Sequence, residues 1–381
     1  MEQETNSTEA AEQPRKTGAL RAVICTLLFL VLAASLFVYL NMVVDFKGTK
    51  QNKGMWNAFY DLPADYIDVA YVGTSATSRY YNCPLGYEQE GIAVFDFGAA
   101  NTPVMFYDDI VREIQTTQYP QLFIFELRNL RKGETALTEG NARLTIDSLK
   151  KLSPNREAMI DDFLEYEEAN SSPGSFTDEK INYYLPILRY HDRVIERDLE
   201  AEDLKLEEPY NTAQGFVAGK STVTQAPQTE SAYTTEVGEL DPGSEEDLLE
   251  LLDFCDTLDA QVLFVLSPYS VQSVEDYAPL NRIQQIVEQR GYEFFNFNTP
   301  QMYEKLGINW AEDFYNKNHT NFLGSEKYTS FFAPWLKETY KLPDHRGEAS
   351  YDDYYGEGLA YYKKAVKDGI KYVCATDVND E

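Results

Sequence analysis

Five short apolar runs constrain this chain most: Tyr66–Val72, Ile92–Phe97, Leu122–Leu127, Gln261–Leu266 and Tyr292–Phe297. They are rich in Val, Ile, Phe and Tyr and too short for ordinary helices, so each reads as a buried strand. Gly73, Gly98 and Ser267-Pro268 stop three of them. Between them the apolar spacing turns helical, at Val104, Tyr107, Ile110, Val111 and Ile114, at Leu248, Leu251, Leu252 and Cys255, and at Leu280, Ile283 and Val287. Strands alternating with helices predict an α/β fold, an open doubly wound parallel sheet with covering helices. Ligands of such sheets bind beyond the carboxyl ends of the strands. Ser75, Gly98 and the segment carrying His319 are expected on that edge.

Residues 145–240 interrupt the alternation. They carry amphipathic patterns over Arg156–Glu168 and Asp178–Leu199, then a stretch from Asn211 to Glu236 rich in Thr, Ser, Gln and Gly. This is expected to be an insertion ending in a long irregular loop, either a lid or platform over a site or a plain surface loop. Ser244-Glu245-Glu246-Asp247 predicts a capping box opening the next helix, and Gly291 a C-cap. A last core helix is expected from Gly324 through Phe331, Phe332 and Trp335. From Asp344 the chain is acidic and tyrosine-rich with one helical pattern (Leu359, Tyr362, Ala365, Val366, Ile370).

Near the amino terminus, Ala22–Val44 is a 23-residue stretch whose strongly polar side chains are Thr26, Ser35 and Asn41. As a helix it spans roughly 34 Å, enough for a hydrocarbon core of ~30 Å. Ala33-Ala34-Ser35 resembles a signal-peptidase site, but the apolar run continues past it, which predicts an uncleaved signal anchor. The expected layout is a short cytoplasmic segment at 1–21, a transmembrane span at 22–44, an extracytoplasmic domain at 45–343 and a tail at 344–381. Basic residues balance across the span, with Arg15, Lys16 and Arg21 before it and Lys47, Lys50 and Lys53 after it, so orientation rests on the usual translocation of a long carboxyl-terminal part.

Acids and bases within residues 1–50 cancel, which leaves the whole net charge of −30 on residues 51–381. Such a domain repels a phosphate backbone, so nucleic acid is not expected as a partner. Of four cysteines, Cys25 lies in the span, and Cys83, Cys255 and Cys374 are an odd set without metal-like spacing. Neither metal nor cofactor is expected.

Only three histidines are present. His191 lies in a helical pattern and His345 in a charged tail, whereas His319 sits in Asp313-Phe-Tyr-Asn-Lys-Asn-His319-Thr-Asn321 among aromatic residues. Ser75 follows Val72-Gly73-Thr74 at a strand end; Thr74, Thr77 and Ser78 are neighbouring hydroxyls of the kind that cap turns. Serine needs a base that is itself held in place. The 28 tyrosines, 21 phenylalanines and three tryptophans suit both core packing and stacking on sugar rings.

Together, Gly73-Thr74-Ser75, the strand-terminal Gly98, Ser267-Pro268 and Asp313 to Gly324 resemble the SGNH hydrolase superfamily, especially its membrane-anchored DltD-, AlgJ- and AlgX-like branch found beside membrane-bound O-acyltransferases. The resemblance covers most of residues 60–340. It implies a flavodoxin-like sheet of SGNH type with a helical insertion. It also implies a serine esterase or O-acyltransferase acting on acyl groups of a cell-envelope polysaccharide or teichoic-acid-like polymer. Ser75 is carried over as nucleophile and His319 as base. The family's usual acid, three residues before the histidine, is replaced by Asn316, so Asp313 is the carboxylate expected to orient His319, with Asn316 as the alternative and Glu312 behind both. The expected oxyanion donors are the Ser75 and Gly98 amides. The family's third donor, an asparagine in a G-x-N-D motif, is missing here; Glu126-Leu-Arg-Asn129 stands in its place, with Asn129 or Asn101 as candidates. The implied partners are an envelope polysaccharide, a membrane-bound O-acyltransferase and the membrane itself. The rival expectation is an inactive, carbohydrate-binding docking subunit of the same fold.

Overall fold

All five apolar runs form strands, and they assemble as one parallel sheet in the order β2-β1-β3-β4-β5. The strands are β1 (Val69–Thr74), β2 (Val94–Ala99), β3 (Leu122–Glu126), β4 (Gln261–Leu266) and β5 (Glu293–Asn296). This computed structural model describes residues 13–45, 50–131, 137–170, 179–196, 198–205, 209–228, 230–271 and 273–376. The protein is thus α/β with a central parallel sheet of five strands and one apolar amino-terminal helix, α1 (Gln13–Val43). Within α1, Gly18–Val43 is long and apolar enough to cross a membrane.

The other helices are α2 (Lys50–Tyr60), α3 (Ser75–Ser78), α4 (Cys83–Glu90), α5 (Tyr107–Ile114), α6 (Glu139–Ile146), α7 (Pro154–Asn170), α8 (Lys180–Tyr184), α9 (Pro186–Tyr190), α10 (Asp192–Ile195), α11 (Pro242–Cys255), α12 (Val274–Arg290), α13 (Pro300–Leu306), α14 (Phe322–Tyr340) and α15 (Ala349–Thr376). A small hairpin pairs β6 (Phe314–Asn316) with β7 (His319–Thr320). The chain divides into two compact units, Met1–Lys47 with Thr177–Glu207, and Gly48–Phe176 with Glu208–Glu381.

The smaller unit holds α1 and α8 to α10. The pattern over Asp178–Leu199 predicted one amphipathic helix, but three short ones form. Pro186 lacks an N–H and biases Leu185 away from helical geometry, and Leu185 accordingly sits at φ −123° between α8 and α9.

In the larger unit, β1, β2 and β3 are buried along their whole length, as strands covered on both faces must be. The chain leaves β1 toward one edge to form β2 and returns past it to form β3, so the order reverses between β1 and β3. Helix α11 begins differently from the expected capping box. Asp241 is the N-cap, accepting from the Ser244 N–H at 3.2 Å, and Pro242 fills the first turn, where its missing N–H costs nothing. Gly291 closes α12 at φ 95°, as expected of a left-handed C-cap. The tail packs onto the domain: Tyr362 and Ala365 join Leu85, Phe216 and Phe322 in one apolar cluster, and Tyr355 donates to the Val94 carbonyl at 3.1 Å.

Residues 209–240 form no regular element among the described residues, yet they are pinned to distant backbone. Val217 N–H donates to Ser78 O at 2.7 Å, Val223 N–H to Phe314 O at 2.8 Å and Phe322 N–H to Gly219 O at 3.0 Å. The long loop is therefore a strap, with Phe216 and Gln214 fully buried.

Asp96, on β2, is fully buried; among the described residues no N–H or O–H donor reaches its carboxyl oxygens, and the Cys83 thiol is its hydrogen-bonding neighbour. Burial pushes its pKa well above the usual carboxylate range, and the Cys83 thiol opposes that rise. The unfolded chain loses the carboxyl proton near pH ~4 while the folded one keeps it to higher pH, so Asp96 costs stability as pH rises above ~4. Asp96→Asn is expected to be at least as stable as the parent at pH 7 and to flatten the decline that sets in above pH ~4, read from thermal melts.

Candidate active site

The β1–α3 turn places Ser75 at the carboxyl edge of the sheet. Thr74 is the N-cap, its hydroxyl accepting from the Ala76 N–H at 3.2 Å. Gly73 and Gly98 face each other in register. A Cβ at Gly98 would overlap Thr77 Oγ1 and the Thr74 carbonyl, so glycine there lets β2 approach the turn from below. Thr74, Thr77 and Ser78 are buried, whereas Ser75 is partly open.

His319 reaches this serine from 244 positions away: Ser75 Oγ lies 2.7 Å from Nε2. Its other ring nitrogen, Nδ1, lies 2.9 Å from Asn316 Oδ1. The same Oδ1 accepts the Asn318 N–H at 2.9 Å, and a backbone donor identifies that atom as the oxygen. Nδ1 therefore carries the proton, and Nε2 presents its lone pair to the Ser75 hydroxyl. The hairpin explains the pairing. Asn316 and His319 are cross-strand partners around Lys317-Asn318, which turns them toward each other.

Asp313, expected to orient His319, is not the residue at Nδ1. It is 1% exposed, and its Oδ2 accepts from the Asn309 N–H at 2.6 Å and from Lys327 Nζ at 2.7 Å. Its carbonyl accepts the Asn321 N–H at 2.9 Å. Asp313 ties the 309–313 turn to α14, and the tight hairpin brings Asn316 to the ring instead.

A buried arginine braces the histidine loop. Arg128 donates through Nη2 to the Asn318 carbonyl at 2.9 Å and through Nη1 to Tyr80 Oη at 3.2 Å and the Pro268 carbonyl at 3.3 Å. Glu126, fully buried at the end of β3, lies 4.0 Å from its guanidinium. Glu126 Oε1 accepts the Arg128 and Ser267 N–H groups, both at 3.2 Å. Burial raises the Glu126 pKa and Arg128 opposes that rise. Three strand-end loops thus meet at one cation. Sequence reasoning missed Arg128; its place in the degraded third motif was the available signal.

Of the expected oxyanion donors, Ser75 begins α3, where N–H groups have no partner within the helix. Gly98 lies within the β1–β2 pairing. Asn129 is 6% exposed just past β3. Asn101 occupies the turn after β2 with φ 52°. Elsewhere, His345 is bonded to Asp68 and Glu348 at 3.2 and 2.9 Å, and His191 is exposed beside Asp192. Among the described residues no group of three or more His, Cys, Asp or Glu is arranged to hold a metal ion. Comparison with protein-family models, with curated proteins and with solved structures finds no match to this chain.

Proposed function

We propose that this chain is a membrane-anchored serine esterase or O-acyltransferase of SGNH type, acting outside the membrane on acyl groups of an envelope polysaccharide. The observation that carries the reading is the relay Ser75–His319–Asn316, with contacts of 2.7 and 2.9 Å. The strand order, which is that of flavodoxin-like sheets, and the position of the relay beyond the strand ends support it. Helix α1 serves as an uncleaved signal anchor.

In this reading Nε2 takes the Ser75 proton as Oγ attacks the acyl carbonyl. The Ser75 and Gly98 amides, with the Asn129 side chain, receive the developing oxyanion. His319 returns the proton to the leaving oxygen. A water molecule or a sugar hydroxyl then gives its proton to Nε2 as it attacks the acyl-serine, and His319 passes that proton to Oγ as the acyl–Oγ bond breaks, regenerating Ser75. Asparagine as third member holds the imidazole without neutralising its charged form, as in the cysteine proteases that use Cys-His-Asn.

That same asparagine favours a second reading, a catalytically silent polysaccharide-docking partner of a membrane-bound O-acyltransferase. Turnover of p-nitrophenyl acetate by the full-length protein separates the two. Ser75→Ala and His319→Ala are each expected to lower it by at least ~10³-fold. Equal rates for parent and Ser75→Ala would leave the docking reading.

A further inference from the structure

Buried arginines of the larger unit are matched to carboxylates: Arg128 to Glu126, Arg143 to Glu139 at 2.9 Å and Arg156 to Asp147 at 2.8 Å. Arg79 has no carboxylate partner among the described residues, although the chain holds 63 acidic residues. Its Nη1 donates to the Val217 carbonyl at 3.2 Å, and its guanidinium lies over the Tyr315 ring, 5.3 Å from the centroid. None of its nitrogens is buried without a partner, so the N–H groups that Val217 leaves unused face water. Burial of the guanidinium lowers its pKa, and the ionisable groups that oppose this are Tyr315 and Tyr361 rather than an acid.

Arg79 stands one helical turn beyond Ser75. Thr320, next to His319, donates to the Arg79 carbonyl at 2.7 Å. Tyr315, against which the guanidinium rests, precedes Asn316. A half-buried cation without a carboxylate partner among the described residues therefore flanks the relay. On the far side of Val217, whose carbonyl Arg79 contacts, lies a cleft of about 230 Å³ lined by Val217 and Tyr361 with Lys50, Gly54 and Tyr210; Arg79 itself does not line it. The N–H groups that face water are free to act as charge-assisted donors to a bound anion.

We propose that Arg79 recognises an anionic group, a carboxylate or a phosphodiester, carried by the acylated polymer beside the ester that Ser75 attacks. The inference rests on the Ser75 reading for the ester, while the anion site stands on Arg79 alone. Guanidinium is suited to this role because its planar fork matches two oxygens of either group.

Binding to the full-length Ser75→Ala protein tests the site without chemistry. The probes are an oligogalacturonate, a glycerol-phosphate oligomer and a neutral dextran oligomer of similar length. At least one anionic probe is expected to bind more tightly than dextran, with affinity falling at high salt. Arg79→Gln is expected to weaken that binding by roughly tenfold or more, and Arg79→Lys by less. The preferred anion distinguishes carboxylate from phosphodiester. Equal binding of dextran and both anions, no anion binding, or unchanged affinity in Arg79→Gln overturns the proposal. Should Arg79→Gln fail to fold, Arg79→Lys and the salt dependence of the parent decide. Loss of esterase activity in the parent would sink the Ser75 reading and leave this binding result intact.

Discussion

Arg128→Met lowers the stability of the larger unit by about 3–5 kcal/mol and slows acylation of Ser75 by roughly 10²-fold. Both effects have the same origin. Arg128 is 6% exposed and Glu126 is fully buried, so removing the guanidinium leaves a carboxyl group without its countercharge. It also releases the carbonyls of Pro268 and Asn318, the latter next to the histidine that must meet Ser75. The stability cost has a signed pH dependence. Without Arg128 the folded-state pKa of Glu126 rises further above the unfolded value. The deficit against the parent therefore grows as pH rises above ~4–5, where the unfolded carboxyl ionises. Arg128→Lys keeps the charge but not the fork, so it should recover more stability than activity. Denaturant unfolding at pH 5 and 8, with acylation rates on the same samples, measures both. A variant as stable and as fast as the parent would remove Arg128 from the account.

Asn316 gives the second large effect, and its two substitutions move in opposite directions. Asn316→Ala removes the acceptor of the Nδ1 proton and of the Asn318 N–H, freeing the ring to rotate and to change tautomer. The rate of Ser75 acylation should fall roughly 10²-fold. Asn316→Asp keeps both acceptor contacts and adds a negative charge beside the imidazole that becomes cationic during attack. A gain of roughly 10–100-fold is expected. That is less than the ~10⁴-fold separating aspartate from asparagine in a serine-protease triad, because the tautomer here is already correct. The carboxylate must also raise the pKa of His319, so the acid limb of the pH–rate profile should move to higher pH in Asn316→Asp. An unchanged rate in Asn316→Ala would mean the 2.9 Å contact does not orient the base.

What the sequence made legible follows from the range of the forces involved. The strands could be read because burial on both faces demands continuous apolar runs, and β3 and β4 begin where those runs begin. Ser75 and His319 could be brought to one edge because a parallel sheet puts every strand end there. The partner of His319 could not, because Asp313 is chemically the better orienter and only the hairpin geometry excludes it. A two-residue turn with mixed polar residues carries no apolar period to announce it. Arg128 was hidden for a different reason. Its contacts lie 48, 140 and 190 positions away, so its place in the degraded third motif is the one local mark it carries, and that mark does not announce a brace. The 209–240 strap is likewise held by backbone bonds to distant segments, which its polar composition does not reveal.

The central claim, that His319 activates the Ser75 hydroxyl, is tested most directly by a fluorophosphonate probe on the full-length protein in detergent, with the modified residue located by peptide mass spectrometry. The account predicts a stoichiometric adduct on Ser75 at pH 7–9 that vanishes in His319→Ala. No adduct over that range, an adduct on another hydroxyl, or labelling of Ser75 that persists without His319 would contradict it.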